Sequence, residues 1–217
     1  FPITVGEELL PLLACGAEQK ASFCLSKGSY VFPSQHIGDL KNFETLENYT
    51  GQIKHFQRLF DIRPQAVVCD LHPDYMSTEY ASAIAEEESL PLIKVQHHHA
   101  HMAACMADNG QNGSVIGLVW DGTGLGTDGT IWGAECLIGD YSGFERFGSI
   151  LPIRSSAGTG QSRRLTASPS HCSTLPAAIP GASKKRRYIR LCLIPGSTAL
   201  CPQAWDGCLT ASLRSLG

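Results

Sequence analysis

Residues 96–101 read Gln96-His97-His98-His99-Ala100-His101, and residues 121–129 read Asp121-Gly-Thr-Gly-Leu-Gly-Thr-Asp-Gly129. Four histidines within five positions do not suit an ordinary apolar core. In a helix, His97 and His101 occupy positions i and i+4, so their imidazoles share one face and can bind one metal ion. Asp121 follows a predicted buried strand, where α/β sheets present functional groups, and is the best third ligand. We therefore predict a Zn or Fe(II) site at His97, His101 and Asp121.

The glycine-rich loop predicts phosphate binding beside this metal. Its glycines allow positive φ angles and a close approach of the backbone to an anion. Its two aspartates would repel a bare phosphate, so a cation and a nucleotide together make more sense than either alone. The loop lacks the Gly-Lys-Ser/Thr of a Walker loop, and a flexible hairpin turn is the alternative interpretation. The predicted phosphate-binding residues are Lys20, Gly122, Thr123, Gly124, Gly126, Thr127 and Asp128.

The remaining polar candidates are less specific. His98 and His99 point to other faces of the predicted helix and are the candidate catalytic residues: one could reach the substrate while the other is solvated. Asp70, His72 and Asp74 alternate after another predicted strand, so they could line the same cleft. A hydrogen-bonded structural loop explains that segment equally well, and a solvated turn lysine is the alternative for Lys20.

The order of the predicted elements indicates an α/β fold. Apolar runs predict strands at 9–15, 21–25, 29–32, 66–69, 92–95, 115–120, 130–137 and 144–151. Apolar periodicity predicts helices at 45–60, 77–88 and 97–107. We expect Lys27 and Gly28 to form a turn between two strands, and Ser77 to be the N-cap of the second helix. The strands on either side of the glycine loop should form a hairpin.

The charge distribution divides the chain at about residue 153. Residues 1–153 contain 8 basic and 19 acidic residues, whereas residues 154–217 contain 9 basic residues and a single acidic one, Asp206. We predict one domain at 1–153 and an irregular basic tail at 154–217. Three interpretations of the tail remain open: translation in a wrong reading frame, natural disorder, or a basic arm that binds nucleic acid.

The remaining composition favours a cytoplasmic protein. None of the nine cysteines forms a Cys-x-x-Cys pair, which gives little support to a cysteine zinc site. An odd cysteine count and no signal-like segment favour a reducing compartment. The chain has no run of eighteen apolar residues, so we expect no membrane-spanning helix.

Five motifs, in this order, resemble the HypF family, the carbamoyltransferases that mature nickel–iron hydrogenases. The motifs are Ala14–Glu18, Ser34–Leu40, Cys69–Tyr75, Val95–His101 and Asp121–Gly133. The resemblance covers residues 8–153. It implies the start of the family's last domain, the first lobe of an actin/Hsp70/sugar-kinase fold with a mixed sheet and flanking helices. It also implies ATP-dependent transfer of a carbamoyl group from carbamoyl phosphate, through carbamoyl-adenylate, to the C-terminal cysteine of a HypE-type partner, for cyanide-ligand synthesis.

The resemblance also assigns roles to residues. It implies metal binding by His97, His101 and Asp121, contact of the glycine loop and Lys20 with the nucleotide phosphates, and thiol deprotonation by His98 or His99. The family's second lobe supplies a further metal-binding carboxylate and half of the nucleotide pocket. We find no counterpart in residues 154–217, so we expect the chain alone to be inactive.

Two rival functions remain. The first is transfer of a threonylcarbamoyl group to tRNA, or of a carbamoyl group to the hydroxyl of a small molecule. The motif Cys69–Tyr75 argues against both. The second is a non-catalytic metal-binding or nucleic-acid-binding protein whose basic tail contacts phosphates, although we consider a nucleic-acid partner the weaker possibility.

Overall fold

The computed structural model describes residues 2–149 and 191–194. The first part of the chain forms a five-stranded sheet with the strand order β1-β3-β2-β4-β5. Its strands are β1 (Ile3–Leu9), β2 (Leu12–Cys15), β3 (Phe23–Pro33), β4 (Ala66–Asp70) and β5 (Leu92–Val95). Strands β2, β4 and β5 are mutually parallel, and β3 is antiparallel to both β1 and β2. The central strands β2 and β4 are buried throughout, because both faces of the sheet are covered.

Three helices connect these strands and lead out of the sheet. They are α1 (Phe43–Phe60), α2 (Met76–Glu87) and α3 (His97–Asp108). Helix α1 begins at Asn42, whose side chain accepts a hydrogen bond from the backbone N–H of Glu44, and ends at Asp61 in a left-handed conformation. The parallel strands of one sheet end at the same edge, so the starts of α2 and α3 lie at that edge.

The second part of the chain forms another sheet, with the order β10-β9-β6-β11. Its strands are β6 (Val115–Val119), β9 (Glu135–Asp140), β10 (Gly143–Ser149) and β11 (Leu191–Ile194). Between β6 and β9, the glycine loop forms a small hairpin of β7 (Gly124–Leu125) and β8 (Ile131–Trp132). Strands β6 and β9 pair antiparallel, as predicted for the strands that flank the loop.

The structure corrects four details of the predicted elements. The predicted strand 9–15 is two strands, β1 and β2, and the predicted turn at Lys27 and Gly28 lies inside the single strand β3. Gly28 has φ +59° and pairs opposite Leu9, where the register of the β1–β3 pair shifts. The strand predicted at 130–137 is divided between β8 and β9. The N-cap of α2 is Tyr75, without a side-chain hydrogen bond, instead of Ser77.

Three groups of buried apolar residues form the core. Two of them cover the two faces of the first sheet, and the third packs α3 against the second sheet through Met102, Met106, Val119 and Leu137. Within the described residues, no helix is long and apolar enough to span a membrane. The predicted domain boundary at 153 and 154 lies outside the described residues. In the predicted irregular tail, residues 191–194 are described, as strand β11 parallel to β6.

Candidate metal and phosphate site

Four polar residues meet where β4, β5 and β6 end. Asp70 is the last residue of β4, and His97 and His101 lie on the first two turns of α3, directly after β5. Asp121 comes two residues after β6. The structure thus brings together the predicted ligands His97, His101 and Asp121, whose donor atoms all lie within 4.8 Å of one another.

The distances in this cluster suit a small divalent ion. The Nε2 atoms of His97 and His101 are 3.2 Å apart. The Oδ2 atom of Asp121 lies 2.8 Å from Nε2 of His97 and 3.6 Å from Nε2 of His101. Two ligand atoms of a tetrahedral zinc ion are separated by about 3.3 Å, given metal–ligand distances of about 2.0–2.1 Å. Two imidazoles and one carboxylate also leave coordination positions free for a substrate, so the residues fit Zn or Fe(II).

The charges around His97 favour its protonated form in the absence of a cation. Burial acts to lower the pKa of His97, but hydrogen bonds to Asp121 and Asp70, and their charges, raise it to about 10. Burial acts to raise the pKa of Asp121, but hydrogen bonds from His101 and His97 hold it well below its usual range. Because a metal ion needs the unprotonated Nε2, its binding would release a proton from His97.

His98 and His99 do not join this cluster. The His98 side chain is fully buried against Trp132, and its Nδ1 lies 3.0 Å from Nε2 of Gln96. Burial and the neighbouring charge of His97 lower the pKa of His98 to about 4. The Nε2 of His99 lies 2.8 Å from the carbonyl oxygen of Asp140, to which it donates. Their burial and these contacts do not support the predicted transfer of a proton from a thiol by either histidine.

The glycine loop is a hairpin that packs against α3. A Cβ atom on Gly124 would lie 2.7 Å from the His98 ring, and one on Gly126 would lie 2.0 Å from Nε1 of Trp132. Gln96 connects the loop to α3: its Nε2 donates to the carbonyl of Leu125, and its Oε1 accepts from the N–H of His99. Of the four loop glycines, Gly129 alone has a positive φ, +75°. The expectation of positive φ at 122, 124 and 126 is therefore wrong, and packing explains Gly124 and Gly126.

The other predicted phosphate-binding residues of the loop have different surroundings. Asp128 Oδ1 accepts hydrogen bonds from Thr130 and from Nε1 of Trp132, and Asp128 Oδ2 lies 3.4 Å from Nη1 of Arg146. Thr123 and Thr127 are exposed, and the Gly122 N–H contacts Oδ1 of Asp121. Thr127 and Asp128 line a cavity of about 630 Å³ beside β5, which His97, His101 and Asp121 do not line. The structure thus separates the tip of the loop from the cluster.

Lys20 lies on the same edge of the first sheet as Asp70. It belongs to the turn between β2 and β3, and β2 runs parallel to β4. In the same turn, buried Glu18 accepts a hydrogen bond from the N–H of Met76, at the start of α2, and pairs with Lys41. Burial and the charges of Asp70, Glu18 and Asp121 raise the pKa of Tyr75 to about 12. Tyr75 thus lies near these acidic groups.

In the segment 70–75, the cleft interpretation fits Asp70 alone, and the structural-loop interpretation fits the other residues. Asp70 belongs to the cluster, because its Oδ2 lies 2.8 Å from Nδ1 of His97. The rest is a hydrogen-bonded loop, in which His72 donates its N–H to Asp70 and stacks on Tyr75, and Asp74 donates its N–H to Nδ1 of His72. The sequence pattern does not specify the contact of Asp70 with His97.

Comparison with known proteins identifies the family of this chain. Residues 7–108 match the family model described as the HypF Kae1-like domain. Residues 117–184 match the model described as the carbamoyltransferase Kae1-like domain, second subdomain. The chain belongs to the HypF family. The second match continues past residue 153, where the resemblance noted in the sequence ends.

The relatives of the chain are named carbamoyltransferases. The chain is 44% identical over 156 residues to carbamoyltransferase HypF of Rhodobacter capsulatus, covering 70% of this chain and 21% of the relative. It is 35% identical over 140 residues to a probable carbamoyltransferase HypF of Methanocaldococcus jannaschii, covering 64% and 18%. The chain thus spans about a fifth of the length of these relatives.

Solved HypF structures share the fold described above. A full-length HypF in a phosphate- and nucleotide-bound form aligns with a TM-score of 0.64 and 46% identity, covering 67% of this chain and 19% of that one. The HypF of T. kodakarensis aligns with a TM-score of 0.64 and 40% identity, covering 69% and 20%. The mixed α/β architecture of this chain is therefore that of the corresponding part of HypF.

Proposed function

We propose that this chain contributes the metal-binding and part of the nucleotide-binding machinery of a carbamoyltransferase of hydrogenase maturation. The observation that carries the proposal is the convergence of His97, His101 and Asp121 within 4.8 Å in a chain of the HypF family. The reaction moves a carbamoyl group from carbamoyl phosphate, through ATP-dependent carbamoyl-adenylate, to the C-terminal cysteine thiol of a HypE-type partner. The thiocarboxamide so formed is the precursor of the cyanide ligands.

The fold supports this proposal at a coarser level. The strand order β1-β3-β2-β4-β5, with helices between β4, β5 and the second sheet, suits the first lobe of an actin/Hsp70/sugar-kinase fold. That class of fold closes two lobes around a nucleotide, so the edge that carries Asp70, His97 and Asp121 would face the substrate. Lys20 and the exposed hydroxyl of Thr123 would contribute to phosphate binding at this edge.

Each residue of the cluster has a defined task in this proposal. His97, His101 and Asp121 would hold a divalent ion, Zn or Fe, which would supply Lewis-acid polarisation of the carbamoyl carbonyl or organise the adenylate phosphate. Asp121 also places negative charge between the two imidazoles. The burial of His98 and His99 leaves them as supports of the helix and hairpin, so the thiol proton would go to another acceptor or to solvent.

Metal analysis is the first experiment. The purified chain should bind about one equivalent of Zn²⁺ or Fe²⁺ in equilibrium dialysis, and His101→Ala should abolish stoichiometric binding. Asp74→Asn is the matched control, because its carboxylate is exposed and lies in the neighbouring loop. A folded wild-type chain without stoichiometric metal would refute the proposal.

Carbamoyl transfer is the second experiment. A Rhodobacter capsulatus HypF in which residues 8–149 of this chain replace the matching segment should transfer label from carbamoyl phosphate to the partner's C-terminal cysteine, with ATP. The same chimera with His101→Ala should lose that transfer. Transfer by the chimera to tRNA or to a small-molecule hydroxyl, and not to the thiol, would favour the rival carbamoyltransferases.

The location of the protein follows from the same proposal. Residues 2–149 contain five cysteines, Cys15, Cys24, Cys69, Cys105 and Cys136, and none of them forms a disulfide bond. Cysteines that form no disulfide bonds favour a reducing compartment, so we propose that the protein acts in the cytoplasm.

A further inference from the structure

We infer that Asp70 is a positioning residue, which fixes the His97 ring so that Nε2 faces the metal site. The inference rests on the metal site proposed above. Each ring nitrogen of His97 lies 2.8 Å from one carboxylate: Nδ1 from Oδ2 of Asp70, and Nε2 from Oδ2 of Asp121. His101 approaches Nε2 alone, with its own Nε2 at 3.2 Å. An ion held by all three predicted ligands would therefore use Nε2 of His97 and leave Nδ1 to Asp70.

Asp70 is itself held firmly in place. It is the last residue of β4 and pairs with Val95 of β5, two residues before His97. Its side chain is 7% exposed, and its Oδ1 accepts the backbone N–H of His72 at 2.9 Å. The Thr78 hydroxyl contacts its carbonyl oxygen. These contacts leave Oδ2 directed at His97, so the carboxylate has little freedom to rotate away.

The chemical consequence concerns the tautomer of His97. A neutral imidazole carries one proton, and a carboxylate beside Nδ1 keeps that proton on Nδ1. The lone pair then lies on Nε2, toward Asp121 and His101. The carboxylate also increases the basicity of Nε2, which strengthens its bond to a cation. Asp70 therefore acts on the metal through His97 and without direct coordination.

The first test measures Zn²⁺ affinity by isothermal titration calorimetry on the 217-residue chain. Asp70→Asn keeps the size of the side chain and removes its charge, and we expect about 10–100-fold weaker binding. Asp74→Asn, in the same loop but with an exposed side chain, should bind within about twofold of the wild type, as expected for a surface substitution. If the wild type binds Zn²⁺ and Asp70→Asn binds it as tightly as Asp74→Asn does, the inference about Asp70 is overturned while the proposed metal site stands.

The second test needs no substitution. In the Zn²⁺-loaded wild-type chain labelled with ¹⁵N-histidine, long-range ¹H–¹⁵N spectra report which ring nitrogen carries the proton. We expect His97 to show a protonated Nδ1 and a metal-bound Nε2. Metal bound through Nδ1, or an Nδ1 without a proton, would refute the positioning role even if Asp70→Asn failed to fold. A wild-type chain that binds no Zn²⁺ would instead refute the proposed metal site, and the inference with it.

Discussion

Two pairs of histidines on one helix have opposite environments. His97 and His101 point toward Asp121 and keep 17% and 31% of their side chains exposed. His98 and His99 are buried, and they contact Gln96 and the backbone of Asp140. The sequence is almost uniform across these positions, so residue type alone does not distinguish the pairs. The helical period separates a pair that faces the sheet edge from a pair that faces the glycine hairpin and β9–β10.

The largest expected effect comes from exchanging a residue of the first pair. His97→Ala removes the imidazole that contacts both Asp70 and Asp121, so Zn²⁺ affinity should fall by more than about 100-fold, beyond the usual effect of an outer-sphere residue. Isothermal titration calorimetry measures the loss. His98→Leu should bind Zn²⁺ as the wild type does, provided that it remains folded. Equal losses in both variants would mean that the two pairs share one role.

The hairpin beneath the second pair provides the next test. Gly126→Ala places a Cβ atom 2.0 Å from Nε1 of buried Trp132, so overpacking should destabilise the chain by about 2–3 kcal/mol. Gly122→Ala is the matched control, since a Cβ there meets nothing within 4 Å. Thermal unfolding of both variants, without metal, measures the difference. A Gly126→Ala variant as stable as Gly122→Ala would contradict the packed hairpin.

A substitution in the buried pair should affect stability and spare the metal. His98→Leu removes the hydrogen bond with Gln96, and we expect a loss of about 1–2 kcal/mol in the free energy of unfolding. The measurement is chemical denaturation in the presence of a chelator. A large loss of Zn²⁺ affinity without any loss of stability would indicate that His98 contributes to metal binding, as proposed for His97 and His101.

The pKa values of His97 and His98 should also shift in opposite directions. The pKa of His98 is lowered from 6.5 to about 4, so stability rises from pH 4 to 6.5 as the unfolded chain loses its proton. The pKa of His97 is raised from 6.5 to about 10, so its contribution is full below pH 6.5 and is lost as the pH rises toward 10. Stability without metal should therefore have a maximum near pH 6.5.

This pH profile is gradual, since one group changes stability by at most about 1.4 kcal/mol per pH unit. Denaturant midpoints across pH 4–10 measure it. His97→Gln should flatten the alkaline limb, and His98→Leu should flatten the acidic limb. An alkaline limb that is unchanged in His97→Gln would show that another group causes it.

The cluster of His97, His101 and Asp121 shows how much of the candidate site could be predicted from the sequence. His97 and His101 are four residues apart, so a helix places them on the same face. The helices and buried strands are predicted by the spacing of apolar residues. The predicted helices differ from the observed ones by one or two residues at their ends. The β1–β3 pairing was missed, because Gly28 inside a strand has the same local signature as Gly28 in a turn.

The glycine loop shows where local reasoning fails. A run of glycines predicts backbone freedom. The sequence does not distinguish a glycine that avoids a steric clash from one that adopts a positive φ. Gly124 and Gly126 are required by the ring of His98 and the indole of Trp132, and both rings approach through tertiary packing. Sequence alone contains no signal for these approaches.

The sequence by itself determined the α/β fold, the family and the two-histidine face of α3, because each depends on local periodicity or on motif strings. Only the tertiary structure decided that Asp70 contacts Nδ1 of His97 and that His98 and His99 are buried. Those facts depend on β4 and β5 lying side by side and on the hairpin covering α3. Contacts between segments 27 or more residues apart are set by packing, which no local pattern encodes.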